Sequence, residues 1–300
     1  MTQVAGALGS PPRAWETPRG LLLSTLFQSS SGDYQLMQHR WVAAALTAAT
    51  LWFHVQAAGA AEKNLPQPDH VVVVILENHS FDQIVDPNRA PFIYSLAVGG
   101  ALFVNAFAVS HPSQPNYFAL FSGSTQGVRD NNDYTFDAPT LASALDAGQK
   151  SFVGYVETGS PRRHNPWESF TNARATERNL SEFPSDFTRL PTVSYVIPGL
   201  DNDMHDGSVR DGDTWLKDHL GAYAEWAKRH SSLLIVTFDE DDYGTENHIP
   251  TIIYGARVRP GRYAERITHY SVLSTLLAMY ALPPFAEAAT TPPIRAIWDE

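Results

Sequence analysis

The chain has 300 residues, of which 43% are hydrophobic, so it is long enough to bury the core of one large domain or of two small ones. Asp and Glu number 32 against 21 Lys and Arg, and a formal net charge of −11 makes the surface repel nucleic acids and anionic lipids. The absence of cysteine excludes disulfide frameworks, thiolate catalysis and sulfur-ligated zinc. Any metal must therefore be held by oxygen and imidazole ligands.

The N-terminal region carries an export pattern. Residues 1–36 show no sustained period, and we interpret them as a disordered extension or as the product of a start codon assigned too early. Residues 37–60 resemble a complete signal peptide: Arg40 supplies the positive end, residues 41–55 the apolar run, and residues 58–60 the small side chains that a signal peptidase accepts. An uncleaved membrane anchor is the alternative. We predict cleavage, no stable membrane anchor, and a periplasmic or secreted protein.

Residues 61–300 contain neither an internal repeat nor a linker, which predicts that they form a single domain. Two continuous β-branched runs, 71–76 and 233–238, lack alternation and predict strands that are buried on both faces of a parallel sheet. Shorter strand-like stretches lie at 101–107, 151–156, 192–197 and 251–254, with helical patterns between them, one capped by Asp213 and another over 270–282. The alternation predicts an α/β fold, a three-layer sandwich around a mainly parallel sheet.

Acidic residues follow both of the buried strands directly. Glu77 and Asn78 come after the first strand, and residues 239–242 (DEDD) come after the second. Because functional groups of such sheets collect beyond the carboxyl ends of the strands, these carboxylates are expected to lie close together. Like charges in proximity are costly unless a cation compensates them. We therefore favour a metal site over two solvated loop ends.

A serine lies where an anion would be stabilised. In residues 111–117 (HPSQPNY), Pro115 fits a first helical turn, so Ser113 is predicted at a helix N-terminus, where free N–H groups attract a phosphate. An ordinary capping serine is the simpler alternative. A Ser-His-Asp hydrolase is disfavoured because the GxSxG elbow is absent.

Two further loops and a basic patch offer polar side chains. Asp201 and His205 are spaced so that they can share one cation, which His248 would complete, although a turn rich in Asp, Asn and Gly is also a common surface loop. Residues 162–164 (RRH) form the most basic patch of the chain. The patch either reads an anionic substrate or is a solvated loop.

These motifs together resemble the bacterial phosphoesterase family of acid phosphatases and phospholipases C, relatives of the alkaline phosphatase superfamily. The matching strings are, in chain order, VVILENHSFD, HPSQPNYFALFSG, RHNPWESF, LPTVSYVIPGLDNDMHDGS, LLIVTFDEDD and NHIPTIIYG. They spread over residues 69–300. Within the family the sequence is most similar to the small SapM-type secreted acid phosphatases, which act on phosphate monoesters including phosphatidylinositol 3-phosphate.

The resemblance implies an alkaline phosphatase-like fold and a divalent cation. The implied ligands are Glu77, Asn78, Ser113, Asp239 and Glu240. Ser113 is implied to be the nucleophile as well, because a cation lowers the pKa of its hydroxyl, and its attack gives a phosphoserine. Asn116 is expected to help hold the equatorial phosphate oxygens.

The histidines keep alternative roles within this resemblance. His205 and His248 are expected to protonate the leaving alcohol or orient water, and His164 to bind substrate, with binding of a second cation together with Asp201 as the alternative for these histidines. The spacing of Asp201 and His205 resembles the second metal site of alkaline phosphatases, so Asp201 is included among the metal ligands, whereas several acid phosphatases of the family manage with one cation. Oxygen-rich ligands favour magnesium, calcium or manganese, and the histidines keep zinc open.

The resulting expectation is a secreted, metal-dependent acid phosphatase that hydrolyses small-molecule or lipid phosphate monoesters, with phosphoinositides among the candidate substrates. A phospholipase C or another phosphodiesterase of the same family is the alternative, which the shortness of the chain disfavours. A module that binds calcium without catalysis is the third interpretation. Nucleic acid is not expected as a partner, and no oligomeric state follows from the sequence.

Overall fold

An eight-stranded sheet forms the centre of the part of the chain that the computed structural model describes, residues 65–244 and 246–299. The strands are β1 (His70–Leu76), β2 (Ala101–Phe107), β3 (Phe152–Val156), β4 (Glu177–Asn179), β5 (Val193–Ile197), β6 (Ser232–Phe238), β7 (Thr251–Gly255) and β8 (Gly261–Thr268). Their order across the sheet is β4-β3-β5-β1-β6-β7-β2-β8. The predicted extension (1–36) and signal peptide (37–60) lie outside the described residues.

The pairing explains why two runs of the sequence are apolar throughout. β1 lies between β5 and β6 and is parallel to both, so its side chains are buried on both faces of the sheet. β7 runs antiparallel to both of its neighbours, and every other pair is parallel. The mainly parallel α/β fold is therefore confirmed. The sequence did not predict β4, which has three residues, or β8, which is largely exposed at the edge and carries no apolar run.

Helices cover the sheet in two groups. They are α1 (Phe81–Ile84), α2 (Pro91–Gly99), α3 (Ser113–Ser122), α4 (Leu141–Ala147), α5 (Val209–Ala227) and α6 (His269–Met279). α3, α4 and α6 pack together, α2 packs against α5, and members of both groups contact the sheet, which gives three layers. Among the described residues no helix combines the length and the apolar character needed to cross a membrane.

The start of α5 differs from the prediction. Ser208 precedes the helix, and its side chain accepts the N–H of Asp211. Asp213 lies inside the helix and is buried, and its carboxylate accepts the backbone N–H groups of Phe92 and Ile93 at 3.1 and 2.8 Å. The predicted cap of α5 therefore stabilises the N-terminus of a different helix, α2.

The three central strands bring separate acidic segments to one edge. Leu76 pairs with Phe238, so the residues that follow β1 and β6 leave the sheet side by side, and the Asp239 N–H donates to the Leu76 carbonyl oxygen at 2.9 Å. On the other side of β1, the loop after β5 returns to the same edge. There the Glu77 N–H donates to the Asp203 carbonyl oxygen at 2.8 Å.

Candidate active site

The Ser113 hydroxyl lies between two carboxylates that come from different strands. Ser113 is the first residue of α3 and is buried. Its Oγ is 3.2 Å from Glu77 Oε2, just beyond β1, and 3.2 Å from Glu240 Oε1, just beyond β6. The single hydroxyl proton can be donated to one of these oxygens at a time. The structure thus brings the predicted serine into contact with both acidic clusters.

Two oxygen atoms beside this serine have no hydrogen-bond partner among the described residues. Asp239 accepts the Asn78 N–H at 3.1 Å through Oδ1, which leaves Asp239 Oδ2 and Asn78 Oδ1 buried and unpartnered. Asn78 has a φ of 56°, a left-handed conformation that asparagine tolerates better than most residues. Buried polar atoms without partners are rare in folded proteins, and a bound ion or water, or a catalytic role, is the usual explanation.

A second set of ligand atoms adjoins Glu77. His164 is fully buried, with Nε2 at 3.4 Å from Glu77 Oε1 and Nδ1 at 3.5 Å from Asp203 Oδ2. Among the described residues, neither ring nitrogen has a hydrogen-bond partner, and neither does Asp203 Oδ2. One ligand atom from each of Glu77, His164 and Asp203 lies within 4.8 Å of the others, a spacing that suits a single cation.

The charge of this cluster is strongly unbalanced. Burial raises the pKa of Asp203 and of Asp239 to about 7 and that of Glu240 to about 8. Burial, followed by the charges of Asp239 and Asp203, raises the pKa of Glu77 well above its ordinary value. Burial, with smaller contributions from neighbouring cationic groups, lowers the pKa of His164 well below its ordinary value, so the ring is neutral and able to ligate a metal. Four buried carboxylates and a neutral imidazole fit a divalent cation.

Tyr117 and His111 hold the two glutamates, and the sequence analysis missed both. The Tyr117 hydroxyl donates to Glu77 Oε1, while its ring stacks on His164 with centroids 5.1 Å apart. His111 Nδ1 lies 2.6 Å from Glu240 Oε2. Tyr117 follows Ser113 by four positions, which places both on one face of a helix. That spacing was the available signal.

The loop after β5 supplies a different aspartate from the predicted one. Asp201 is exposed and lies outside the group of candidate ligands, whereas Asp203 is fully buried within it. The loop is tightly folded, because a Cβ at Gly207 would lie 1.8 Å from the Asp201 carbonyl oxygen. The structure therefore replaces Asp201 by Asp203 among the candidate ligands.

His248 occupies a structural position in place of the expected catalytic one. Its Nε2 lies 3.0 Å from the carbonyl oxygen of Val104. Its ring stacks between Phe81, at 4.8 Å between centroids, and Phe107, at 5.1 Å. These contacts hold the imidazole against β2 and Phe81.

The Asn116 side chain is also fully engaged in contacts within the protein. Oδ1 accepts the N–H groups of Val109 and Ser110, both at 3.0 Å. Nδ2 donates to the carbonyl oxygens of Ser110 at 2.9 Å and Pro112 at 3.3 Å. Asn116 therefore holds the loop that precedes Ser113, and the expectation that it binds phosphate oxygens is not supported by its contacts.

His205 and Arg163 lie at the more exposed side of the cluster. The His205 side chain is 29% exposed, its ring centroid lies 6.0 Å from that of His164, and its Nε2 lies 3.4 Å from an Arg163 guanidinium nitrogen. Arg163 Nε is buried without a hydrogen-bond partner among the described residues. Arg162, by contrast, is bound to Asp133 and to two backbone carbonyl oxygens. The basic patch thus divides into a structural arginine and one beside the site.

Comparison with solved structures defines the class of the fold. The chain is similar to a protein in the alkaline phosphatase superfamily from Vibrio parahaemolyticus, with a TM-score of 0.54 and 14% identity over 77% of this chain and 72% of that one. It is also similar to the phosphonate monoester hydrolase of Agrobacterium radiobacter, with a TM-score of 0.52 and 13% identity over 77% and 79% of the two chains. The chain therefore shares the fold of these structures, which confirms the predicted alkaline phosphatase-like fold.

The family follows from the sequence comparisons. The model of the Phosphoesterase family matches residues 85–283, and the chain belongs to this family of enzymes that cleave phosphate esters. It is 47% identical over 263 residues to the phosphatidylinositol-3-phosphatase of Mycobacterium tuberculosis, and the aligned region covers 82% of this chain and 88% of that protein. It is 30% identical over 251 residues to the phosphate-repressible acid phosphatase of Penicillium chrysogenum, covering 72% of this chain and 60% of the fungal protein. The resemblance drawn from the spaced motifs is confirmed.

Proposed function

We propose that this protein is an exported, metal-dependent acid phosphatase that hydrolyses phosphate monoesters, phosphoinositides among them, with Ser113 as the nucleophile. The observation that carries the proposal is the Ser113 hydroxyl, held 3.2 Å from both Glu77 and Glu240 within a group of buried carboxylates. The similarity to a phosphatidylinositol-3-phosphatase and to an acid phosphatase supports the substrate class. Export rests on the signal-peptide pattern of residues 37–60.

Two overlapping sets of residues would hold divalent cations. The first set consists of Glu77, Asn78, Ser113, Asp239 and Glu240, and the second of Glu77, His164 and Asp203. The first set offers only oxygen ligands and favours magnesium, calcium or manganese, while the imidazole of the second also suits zinc. A bound cation supplies positive charge that lowers the pKa of the serine hydroxyl and stabilises the charge of the phosphoryl group in the transition state.

The residues of the chain carry the bond changes in two steps. Ser113 Oγ bonds to phosphorus while the ester P–O bond breaks, which gives a phosphoserine and the alcohol. The serine proton passes to Glu77 Oε2 or Glu240 Oε1, the oxygens that it already contacts, and from there to solvent. His205, the partly exposed imidazole beside the cluster, protonates the leaving oxygen. Water then cleaves the phosphoserine and releases inorganic phosphate.

Substitution of the serine tests the proposal. Ser113→Ala is expected to lower kcat for p-nitrophenyl phosphate by roughly 10³-fold or more while the protein remains folded. Ser122→Ala, the same change at the other end of α3, is the matched control, because Ser122 donates to the Phe118 carbonyl oxygen within its own helix. Chelation is expected to abolish the activity of the wild type, and added metal to restore it. Acid quenching followed by peptide mass spectrometry is expected to find phosphate on Ser113.

Three outcomes would contradict the proposal. If Ser113→Ala retained the chelator-sensitive activity of the wild type, the nucleophile would be wrong. Release of phosphocholine from phosphatidylcholine without release of inorganic phosphate from monoesters would indicate a phospholipase C. Metal binding without turnover of any phosphate ester would indicate a calcium-binding module.

A further inference from the structure

Tyr243 is an exposed aromatic residue on the loop that begins with Asp239 and Glu240. Its side chain is 69% exposed, and the only other large hydrophobic side chain exposed in this way among the described residues is Val98, at 63%. A single exposed hydrophobic residue is ordinary on a protein surface. The inference for Tyr243 therefore depends on its backbone and on its neighbours.

The backbone of Tyr243 is held in a conformation that bulky residues avoid. Its φ is 63°, in the left-handed region that is a genuine outlier for a large side chain. Fully buried Asp241 maintains this turn: Oδ1 accepts the Tyr243 N–H and Oδ2 accepts the Asn247 N–H, each at 2.8 Å. Strained positions that are fixed by buried polar groups cluster at functional sites.

The Tyr243 ring is connected to the reactive serine by direct contacts. One face stacks on His111, with centroids 3.9 Å apart and planes 22° apart. His111 Nδ1 lies 2.6 Å from Glu240 Oε2, and Glu240 Oε1 lies 3.2 Å from Ser113 Oγ. Burial and then the charges of Glu240 and Asp239 raise the pKa of the Tyr243 phenol, which agrees with its position beside the carboxylates. Most of the residue nevertheless remains accessible to solvent.

The contacts that reach Ser113 through Glu77 have a different chemical character. From the serine they run through Glu77 and His164 to the partly exposed His205 and the Arg163 guanidinium. Cationic and imidazole groups suit the oxygens of a phosphate. An aromatic face suits the carbon skeleton that the phosphate is attached to.

We propose that the exposed part of the Tyr243 ring is the surface against which the organic group of the phosphate ester packs, which makes Tyr243 a specificity residue for esters whose leaving group presents an apolar or aromatic face. This inference rests on the proposed phosphatase function and names the class of ester that the same site prefers. A methyl ester is too small to gain from the ring, whereas a phenyl ester covers it. The ring therefore raises the preference for phenyl over methyl esters.

The test compares Tyr243→Ala with Tyr243→Phe, which keeps the ring, and with Val98→Ala, the other exposed hydrophobic position. For each variant, kcat/KM is measured with phenyl phosphate and methyl phosphate. Binding of phenylphosphonate and methylphosphonate, which are not hydrolysed, is measured by calorimetry in the same buffer. Tyr243→Ala is expected to reduce the phenyl-to-methyl preference by roughly 3- to 10-fold in both measurements. Tyr243→Phe and Val98→Ala are expected to retain the wild-type preference.

Two results would overturn the inference. An equal loss with phenyl and methyl ligands would show that the ring acts only by positioning His111, and an unchanged preference would show that it does not meet the substrate. If the wild type hydrolysed neither ester, the proposed function would fail. The ratio of phosphonate affinities would in that case still decide whether Tyr243 packs against the organic group.

Discussion

Replacing Asp203 by asparagine separates the role of its charge from that of its shape. Asp203 Oδ1 accepts the His205 N–H at 2.8 Å, and an asparagine carbonyl oxygen can accept the same hydrogen bond. Oδ2 lies 3.5 Å from His164 Nδ1 and has no hydrogen-bond partner among the described residues. Asp203→Asn therefore removes a buried negative charge with little change of packing.

The pKa of Asp203 determines how this change affects stability without metal. Burial raises the pKa from 3.8 to about 7 in the folded protein. Well below pH 3.8 the carboxyl is protonated in both states, so the variant and the wild type have similar stability. Between pH 4 and pH 7 the unfolded state loses the proton first, and the wild type loses stability as the pH rises. At pH 8 the difference between the two pKa values corresponds to about 4 kcal/mol in favour of the metal-free variant.

A bound cation reverses the sign of the effect. With metal, Asp203 is a compensated ligand, so the variant is expected to bind the ion at least about 10- to 100-fold more weakly, the loss that follows removal of groups that only support a metal ligand. Asp203→Asn should therefore stabilise the chelated protein at pH 8 and weaken its metal binding. A purely structural aspartate would not produce these two opposite effects.

Urea unfolding in EDTA at several pH values measures the first effect, and calorimetric titration with Mn²⁺ measures the second. Asp201→Asn is the matched control, because Asp201 lies two positions away in the same loop and is exposed. The control is expected to change stability by less than about 0.5 kcal/mol. If both variants behaved alike in EDTA and in the titration, the assignment of Asp203 to a cation site would be refuted.

Two further substitutions test positions where the structure and the sequence analysis differ. His248→Phe keeps the stack between Phe81 and Phe107 but leaves the partly buried carbonyl oxygen of Val104 without its partner. Thermal unfolding should therefore show a loss of about 1–2 kcal/mol, while kcat/KM stays within about 3-fold of the wild type. A fall of about 100-fold in kcat/KM would restore a role for His248 in proton transfer. Tyr117→Phe removes the hydroxyl that donates to Glu77 and keeps the ring, so steady-state assays should show kcat/KM lowered by about 10-fold. Unchanged activity would mean that the hydrogen bond from Tyr117 is not needed to hold Glu77 in place.

Local patterns in the sequence were sufficient to predict most of the sheet. The apolar runs that became β1 and β6 had to be covered on both faces, and a strand with such burial occurs in the middle of a parallel sheet. The same logic placed the acidic residues that follow them at one edge. Edge strand β8 carries mixed polar residues and has no apolar run that would have predicted it, because an exposed strand does not need apolar side chains.

The assignments that depended on where a side chain points were the ones that the structure changed. Asp213 serves a neighbouring helix, Asn116 binds its own loop, and His248 lies between two phenylalanine rings. Residue type and spacing describe what a side chain can do. They do not show which residue, distant in the sequence, contacts that side chain in the folded protein.

The amino-acid sequence by itself determined the parallel sheet and the acidic residues at the ends of two of its strands, because burial patterns and strand ends are local properties of the chain. Its spaced motifs determined the family, and the resemblance to that family implied that Ser113 meets those acidic residues. Only the tertiary structure decided that Asp203 rather than Asp201 joins the cluster, with His164 and Tyr117 beside Glu77. The physical reason is burial: two aspartates in one loop have the same chemistry, and the fold removes only one of them from water.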